Sequence, residues 1–580
     1  MSKLNIDQKT IKDLFEDKKA DFLIPDYQRP YAWEDTECQT LWDDLKMFAF
    51  PDDDCDKFNS NDEYFLGPIV TFKNDNDKKE IIDGQQRLTT LMLLLRAFYS
   101  NLGLMQSDKA KKTRTFIERC IWKTDEFGDP IKDALKIDSE VASDNDKEEF
   151  LNILRTGKAS GNKNRYALNY LFFQNLIAEF QKNFPDYFSL FPLRILNNCI
   201  LLPIEAESQD TALRIFSTLN DRGKPLSDAD IFKAQLYKYY AKKGEKDFFI
   251  QQWKNLEELC EKIFHPISGT PMDELFTRYM YFERAKSGIK TSTTEALRKF
   301  YEKENYKILK KDSTFENLQI LASFWKEILT QNDEIFSTEV LRQLFVLNNA
   351  PNGMWCYFLS VYYMQNKDAN NKLDNEKLLR FLKKITGFIW AYAFTNPGLN
   401  SLRTPVFTEM INIVENRDVT FEGFKFEKES LKSTLNNYKF TNVRQTTKSM
   451  LAWWAFENVN QDFLPIDTSF EIEHIFARNR QDHEKSLKNI TSIDSLGNKS
   501  LLEKRINIRA SDYKFSDKIK YYEGFVTSKN KSKEGTKIKD LLDLAKTKSD
   551  FKETDIEERK SKILDSFITY LEKENLISNS

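Results

Sequence analysis

Ile82-Asp83-Gly84-Gln85-Gln86-Arg87-Leu88-Thr89-Thr90 is the stretch that decides how this chain is read. Just upstream, Gly67 to Phe72 (GPIVTF) and Glu80 to Ile82 (EII) are short apolar runs that predict buried strands. Asp83-Gly84 then makes a turn, and Leu88 to Tyr99 predicts a helix. A strand, a glycine turn and a helix in that order expose free N–H groups and a partial positive charge, which attract phosphate. Arg87 adds a permanently charged, planar donor fork suited to phosphate oxygens. Asp83 is placed to hold a magnesium ion bridging phosphates. The same residues also suit a capped turn with a surface salt bridge, and taken alone they leave both readings open.

Two other segments of the N-terminal half stand out. Ile24-Pro25-Asp26-Tyr27-Gln28-Arg29-Pro30-Tyr31-Ala32-Trp33 is extended and aromatic. Arg29 there is either a ligand-facing cation or the acid-paired edge of an aromatic corner whose core holds Tyr31 and Trp33. Phe216 to Leu226 (FSTLNDRGKPL) places Asn220 and Arg222 in a helix-to-loop turn, where Gly223 also suits a C-cap. Ile200 to Ile204 predicts a further strand. The N-terminus (MSKLNIDQKTIKDLF) reads as a helix, and Ser107 to Lys163 as helices with mobile connections.

The chain has 580 residues, which predicts two to four domains. With 87 Lys and Arg against 90 Asp and Glu it is not basic overall, so a nucleic-acid surface has to be local. Lys499 to Lys539 is one such stretch, with twelve Lys and Arg against five Asp and Glu. The bland alternative is a solvated helical surface. Six dispersed cysteines form no CxxC pair, which argues against a zinc ribbon and fits a reducing cytosol. The longest apolar run, Leu91 to Leu95, is far too short to span a bilayer. Tyr240 to Asn458 shows helical periodicity with aromatic-rich faces and no repeat of fixed period.

The C-terminal part carries two of the three histidines. His474 lies in Phe470-Glu471-Ile472-Glu473-His474-Ile475, and Leu496-Gly497-Asn498-Lys499-Ser500-Leu501-Leu502 and Ile506-Asn507 follow it. Phosphodiester hydrolysis needs a base to activate water and a cation for the developing charge. A neutral His474 can take the proton near pH 7. Asn498 is suited to fix its ring tautomer, and Glu473 and Asn507 supply hard oxygen ligands for Mg²⁺ or Mn²⁺. On a strand Glu473 and His474 face opposite ways, so both serve one site only at a strand end or bulge. Taken alone, a Glu-His pair suits a structural histidine better than a catalytic one. His483 reads as a surface residue and His265 as a turn residue.

These motifs, in this order, resemble the GmrSD-type restriction family. Its ParB/sulfiredoxin-like domain has a DGQQR hallmark, matched by Asp83 to Arg87. Its Q-R-x-Y-x-W segment is matched by Gln28 to Trp33, and its L-N-x-R-G-x-x-L segment by Leu219 to Leu226. The E-H-I, L-G-N-x-x-L-L and Asn pattern is similar to the family's HNH-type (ββα-metal) domain. The sequence departs from that pattern at Phe476-Ala477-Arg478, where the family often has Pro, and at Lys499-Ser500, where it often has Leu-Thr.

The resemblance implies an α+β, mostly helical chain: a ParB-like α/β domain over 1–240, a helical middle over 241–455 and an HNH domain over 456–580. It implies nucleoside triphosphate binding, and hydrolysis, by Gln28, Arg29, Asp83, Gly84, Gln85, Gln86, Arg87, Asn220 and Arg222. No Walker A motif is present. It also implies DNA cleavage by His474 and Asn498, with metal at Glu473 and Asn507; the excess positive charge of the 499–539 stretch places Lys514 and Lys518 against the DNA backbone. The expected protein is a cytoplasmic, nucleotide-regulated, modification-dependent (type IV-like) restriction enzyme acting on phage DNA. The sequence leaves homo-oligomer formation open. The alternatives are a nucleotide-dependent DNA-binding protein with an inactive nuclease domain, and a purely structural or interaction protein.

Overall fold

The computed structural model describes residues 5–578 except 7, 142–145, 162, 210, 213, 214, 216–226, 290, 292–294, 399 and 529. Asn220 and Arg222 lie outside the described residues. The chain is α+β and mostly helical, as its sequence predicts. It folds into two compact units, Met1–Asn255 and Leu256–Ser580.

The first unit is built on a mixed sheet. Its strands are β1 (Asn5–Ile6), β2 (Lys9–Thr10), β3 (Phe22–Ile24), β4 (Tyr64–Lys73) and β5 (Lys79–Asp83). A separate hairpin pairs β6 (Trp122–Thr124) with β7 (Pro130–Leu135), and the sheet continues with β8 (Ile137–Ser139) and β9 (Cys199–Ala206). The order is β1-β9-β4-β5-β3-β8, with β2 also on β9. The three strands expected from apolar runs are β4, β5 and β9. The N-terminus differs from the expected helix: β1 and β2 precede a short helix, Ile11–Glu16. The segment 107–163 differs too, because β6, β7 and β8 lie inside it. They are three to six residues long and hold few apolar residues, too weak a pattern to read locally.

Helix Gln85–Leu102 packs against helices Asp108–Ile121, Lys147–Thr156 and Arg165–Asn183. It is covered on nearly every side, so Leu91 to Leu95 are all fully buried and the helix needs no polar face. Strand β4 departs from regularity at Gly67, where a register shift against β9 accompanies a φ of +120°. A side chain there would meet the Arg87 guanidinium at 2.9 Å, so the glycine admits that guanidinium against the strand.

In the second unit the middle and C-terminal segments share one core. Helices Thr338–Asn348, Asn375–Thr395 and Gln445–Glu457 pack together, and Asn375–Thr395 also meets the last helix, Glu553–Lys573. Buried Trp453 sits edge-on to Phe567 and Tyr570 of that last helix. Strands β10 (Phe470–His474) and β11 (Lys499–Glu503) pair antiparallel, with His474 opposite Lys499. Helix Lys504–Ala510 follows directly and packs on both strands. A small hairpin, β12 (Gly524–Val526) with β13 (Ser532–Glu534), lies further on.

Candidate functional site

The DGQQR segment folds as a strand end, a left-handed glycine and a helix start. Gly84 has φ +92° and is the N-cap of helix Gln85–Leu102, which receives no side-chain cap. Asp83 Oδ1 accepts from the Gly84 N–H at 2.8 Å. Burial raises the Asp83 carboxyl above its ordinary range, although the Gly84 N–H, Arg87 and Arg29 pull the other way. Arg87 is itself largely desolvated, which lowers its pKa against the pull of Asp83, and it donates to the Pro68 carbonyl at 2.9 Å. Asp83, Arg87 and Arg29 are therefore one electrostatic cluster at an uncapped helix start.

The three glutamines act differently from the expected ligand contacts. Gln28 donates to the Ile81 and Ile82 carbonyls at 3.2 Å each. Gln85 donates to the Arg29 carbonyl at 2.9 Å. Gln86 accepts from the Ala32 N–H at 2.6 Å and donates to the Pro30 carbonyl at 3.2 Å. They clamp the 24–33 segment onto the strand-to-helix turn, which is how distant motifs come to share one place. Tyr31 completes the joint, stacked on Tyr166 and hydrogen-bonded to Thr90 at 2.7 Å. One buried atom, Gln85 Oε1, has no hydrogen-bond partner among the described residues. The helix start, the two arginines and this acceptor suit a phosphate-bearing ligand with hydroxyl or amino groups.

In the second unit His474 ends β10, and its ring is half-buried beside Lys499, Arg478 and Asp494. Its Nε2 lies 3.7 Å from Asp494 Oδ1 and has no hydrogen-bond partner among the described residues. Burial, then Lys499 and Arg478, hold the imidazole down at about 4, so it is neutral at pH 7. Asp494 accepts from Arg478 at 2.6 Å and from Lys499 at 3.3 Å. Burial raises the Asp494 carboxyl, but the two cations outweigh it and hold it below its usual value. Lys499 is fully buried and also donates to Asn442 at 2.8 Å. The two departures from the family pattern thus supply the two cations beside His474. The sequence reading missed Asp494, Lys499 and Arg478 as neighbours of His474, because strand register and loop folding bring them together.

Asn498 does not meet the His474 ring. Fully buried, it accepts from the Phe476 N–H at 2.6 Å and donates to the carbonyls of Phe476 and Ile493 at 3.0 Å each. It positions the loop that leaves His474. Gly497 is required for a different reason: a Cβ there would lie 1.9 Å from the Ile556 carbonyl oxygen, where the last helix crosses. Arg559 of that helix donates to the carbonyls of Gly497 at 3.1 Å and Lys499 at 2.7 Å.

Glu473 and Asn507 do not share a point. Glu473 Oε1 accepts from Lys518 Nζ at 2.7 Å and from the Tyr522 hydroxyl at 2.6 Å. Asn507 instead donates to Glu471 at 2.8 Å. No group of three His, Cys, Asp or Glu side chains suited to a metal occurs among the described residues. In this arrangement the expected pair does not converge on one point: the Lys518 ammonium occupies the Glu473 carboxylate, and burial raises that carboxyl against the pull of Lys518 and Tyr522.

Lys518 likewise departs from the expected DNA contact. It is 1% exposed and also donates to the His474 carbonyl at 2.6 Å. Lys514, with Lys504, Arg505 and Lys520, is exposed. Lys514→Ala with Lys520→Ala should leave stability within about 0.5 kcal/mol and lower the salt slope of DNA binding by about one unit per lost phosphate contact. Lys518→Met strands a buried carboxylate and should cost about 3–5 kcal/mol, seen as an earlier thermal transition. A Lys518→Met chain as stable as wild type would remove the buried pair from this account.

Two family models match this chain: "GmrSD restriction endonuclease, N-terminal domain" over residues 11–237, and "GmrSD restriction endonucleases, C-terminal domain" over 425–566. Together they cover well over half of it and span both sites described above. The chain is thus a restriction endonuclease, an enzyme class whose substrate is DNA. It belongs to the GmrSD-type restriction family, with the N-terminal and C-terminal domains on a single chain. No curated protein matches it in sequence. No described helix is long and apolar enough to cross a membrane.

Proposed function

We propose that this chain is a nucleotide-regulated DNA endonuclease of the modification-dependent, type IV-like class, acting on phage DNA in the cytoplasm. Its hydrolytic centre is an HNH-type unit formed by β10, β11 and helix Lys504–Ala510. The observation that carries the reading is His474, a neutral imidazole whose buried Nε2 is unpaired among the described residues and flanked by cations. Such a nitrogen can take the proton of an attacking water. Lys499 and Arg478 place beside it the charge that a phosphoryl group needs as it becomes more negative. Asn498 and Lys518 position His474 through its loop and its carbonyl.

Dependence on Mg²⁺ or Mn²⁺ rests on the family resemblance. A cation at Glu473 requires Lys518 to leave that carboxylate, so no step is assigned to it. The regulatory nucleotide is a nucleoside triphosphate, with its phosphates at the start of helix Gln85–Leu102 between Arg87 and Arg29. Hydrolysis of that nucleotide belongs to the same proposal.

The Glu473–Lys518 pair favours a second reading, a nucleotide-dependent DNA-binding protein with an inactive nuclease domain. Incubating the purified chain with phage DNA, Mg²⁺ and nucleotide separates the two. Cut DNA supports the endonuclease. DNA that is retarded in a gel yet intact supports the second reading.

A further inference from the structure

The second unit holds a cavity of about 560 Å³ between helix Asn375–Thr395 and the loop around residues 416–420. Lys377, Arg380 and Lys384 point into it from one face of the helix, spaced three and four residues apart. Arg417 joins them from the loop, where it is ion-paired to Glu415, and the single lining carboxylate is Asp418. None of the three helix cations forms an ion pair among the described residues, although surface cations are ordinarily interspersed with acids. Grouping them costs self-repulsion and raises the local concentration of anions.

The opposite wall is tied down by internal hydrogen bonds. Buried Glu409 accepts from the backbone N–H groups of Thr420 at 3.0 Å and Phe421 at 2.7 Å, and from the Asn412 side chain at 3.0 Å. Gln365 holds Asn416 at 3.0 Å, and the Phe421 ring stacks on Phe388 at 3.7 Å. The apolar part of the lining includes Tyr362, stacked flat on Phe381 at 4.0 Å, together with Ile413 and Val419. The volume falls in the range of small-molecule sites. Cations on one side and an aromatic, aliphatic surface on the other match a molecule with phosphates at one end and a planar ring at the other.

We propose that this cavity binds a nucleoside di- or triphosphate, its phosphates on Arg380, Lys384 and Lys377 and its base against Tyr362 and Val419. It is a second nucleotide site, independent of the reading of Asp83 to Arg87. The test titrates the full chain with the fluorescent analogue mant-ATP, in wild type, Arg87→Ala, and Arg87→Ala combined with Arg380→Glu and Lys384→Glu. The Arg87→Ala chain should still bind mant-ATP. The combined variant should bind at least about tenfold more weakly, the scale of one lost charged hydrogen bond. Inorganic triphosphate should compete for the remaining site. Lys377→Ala, a milder change at an exposed residue, should weaken binding in the same direction with an unchanged melting temperature. The proposal is overturned if the combined variant binds like Arg87→Ala, or if triphosphate does not compete. Loss of DNA binding with mant-ATP binding intact also overturns it, making the cavity a DNA-backbone contact. If Arg87→Ala binds like wild type while the charge reversals abolish binding, the cavity stands and the N-terminal clamp fails.

Discussion

His474→Ala should lose at least about a hundredfold in DNA cleavage, the usual scale for a lost general base. The side chain is 15% exposed at a strand end, with its Nε2 unpaired among the described residues, so the variant removes a proton acceptor together with some packing. DNA binding should persist, because the exposed cations of the 499–539 stretch are untouched. The pH profile adds a readout that lost packing would not produce. In the free chain burial, Lys499 and Arg478 hold His474 at about 4, so kcat/KM should stay flat from pH 7 down to about 5 and fall only below that. A bound phosphodiester brings negative charge to the imidazole and favours its protonated form. The acid limb of kcat should therefore lie at higher pH than that of kcat/KM. Lys499→Met, which removes one of the cations holding His474 down, should move the kcat/KM limb upward. Equal cleavage by wild type and His474→Ala would remove His474 from the mechanism.

Arg87→Ala should weaken nucleoside triphosphate binding at the N-terminal site at least about a hundredfold, the scale of two lost charged hydrogen bonds. Arg87 is held between Asp83 and the bulge at Gly67, so its guanidinium is already oriented and loses little freedom when it binds phosphate. Arg87→Lys keeps the charge but not the planar fork, and should restore binding only in part. The residues around His474 form contacts inside their own unit, so cleavage without nucleotide should be retained. Coupling between a nucleotide and cleavage is typically about 1–3 kcal/mol. Nucleotide should therefore change the wild-type cleavage rate by a measurable factor and leave the Arg87→Ala rate unmoved. Calorimetric titration of both chains, followed by cleavage assays with and without nucleotide, checks this. Wild-type binding unaffected by Arg87→Ala would move the site elsewhere.

Local pattern showed much of the fold. The runs GPIVTF, EII and ILLPI are β4, β5 and β9, and the helical periodicity after Tyr240 holds through helix Gln445–Glu457. What it did not show was set by long-range pairing. Strands β1, β2 and β8 are two or three residues long and exist because neighbouring strands supply their partners. The register of strand β11 against β10 is what brings Lys499 beside His474.

The sites divide in the same way. Residue type and spacing singled out His474 in the second unit and Asp83, Arg87 and Arg29 in the first, and the last three lie close enough to interact electrostatically. The roles of their neighbours were not legible. Gln28, Gln86 and Asn498 looked like ligand-facing amides but make hydrogen bonds to backbone groups of the neighbouring strand and loops, whereas Gln85 donates to the Arg29 carbonyl and keeps its Oε1 unpaired among the described residues. Lys518 looked like part of a basic surface, but helix Phe515–Glu523 turns it inward onto Glu473. Whether a lysine in such a stretch faces water depends on which face its helix buries, and the sequence carries little of that signal in a nine-residue element.

The most direct test of the central claim is cleavage of phage genomic DNA, base-modified and unmodified, by the purified full chain in Mg²⁺ with and without each nucleoside triphosphate. Wild type should cut the DNA at a rate that nucleotide alters, and His474→Ala should cut none above background. DNA left intact by wild type in every nucleotide condition would contradict that claim.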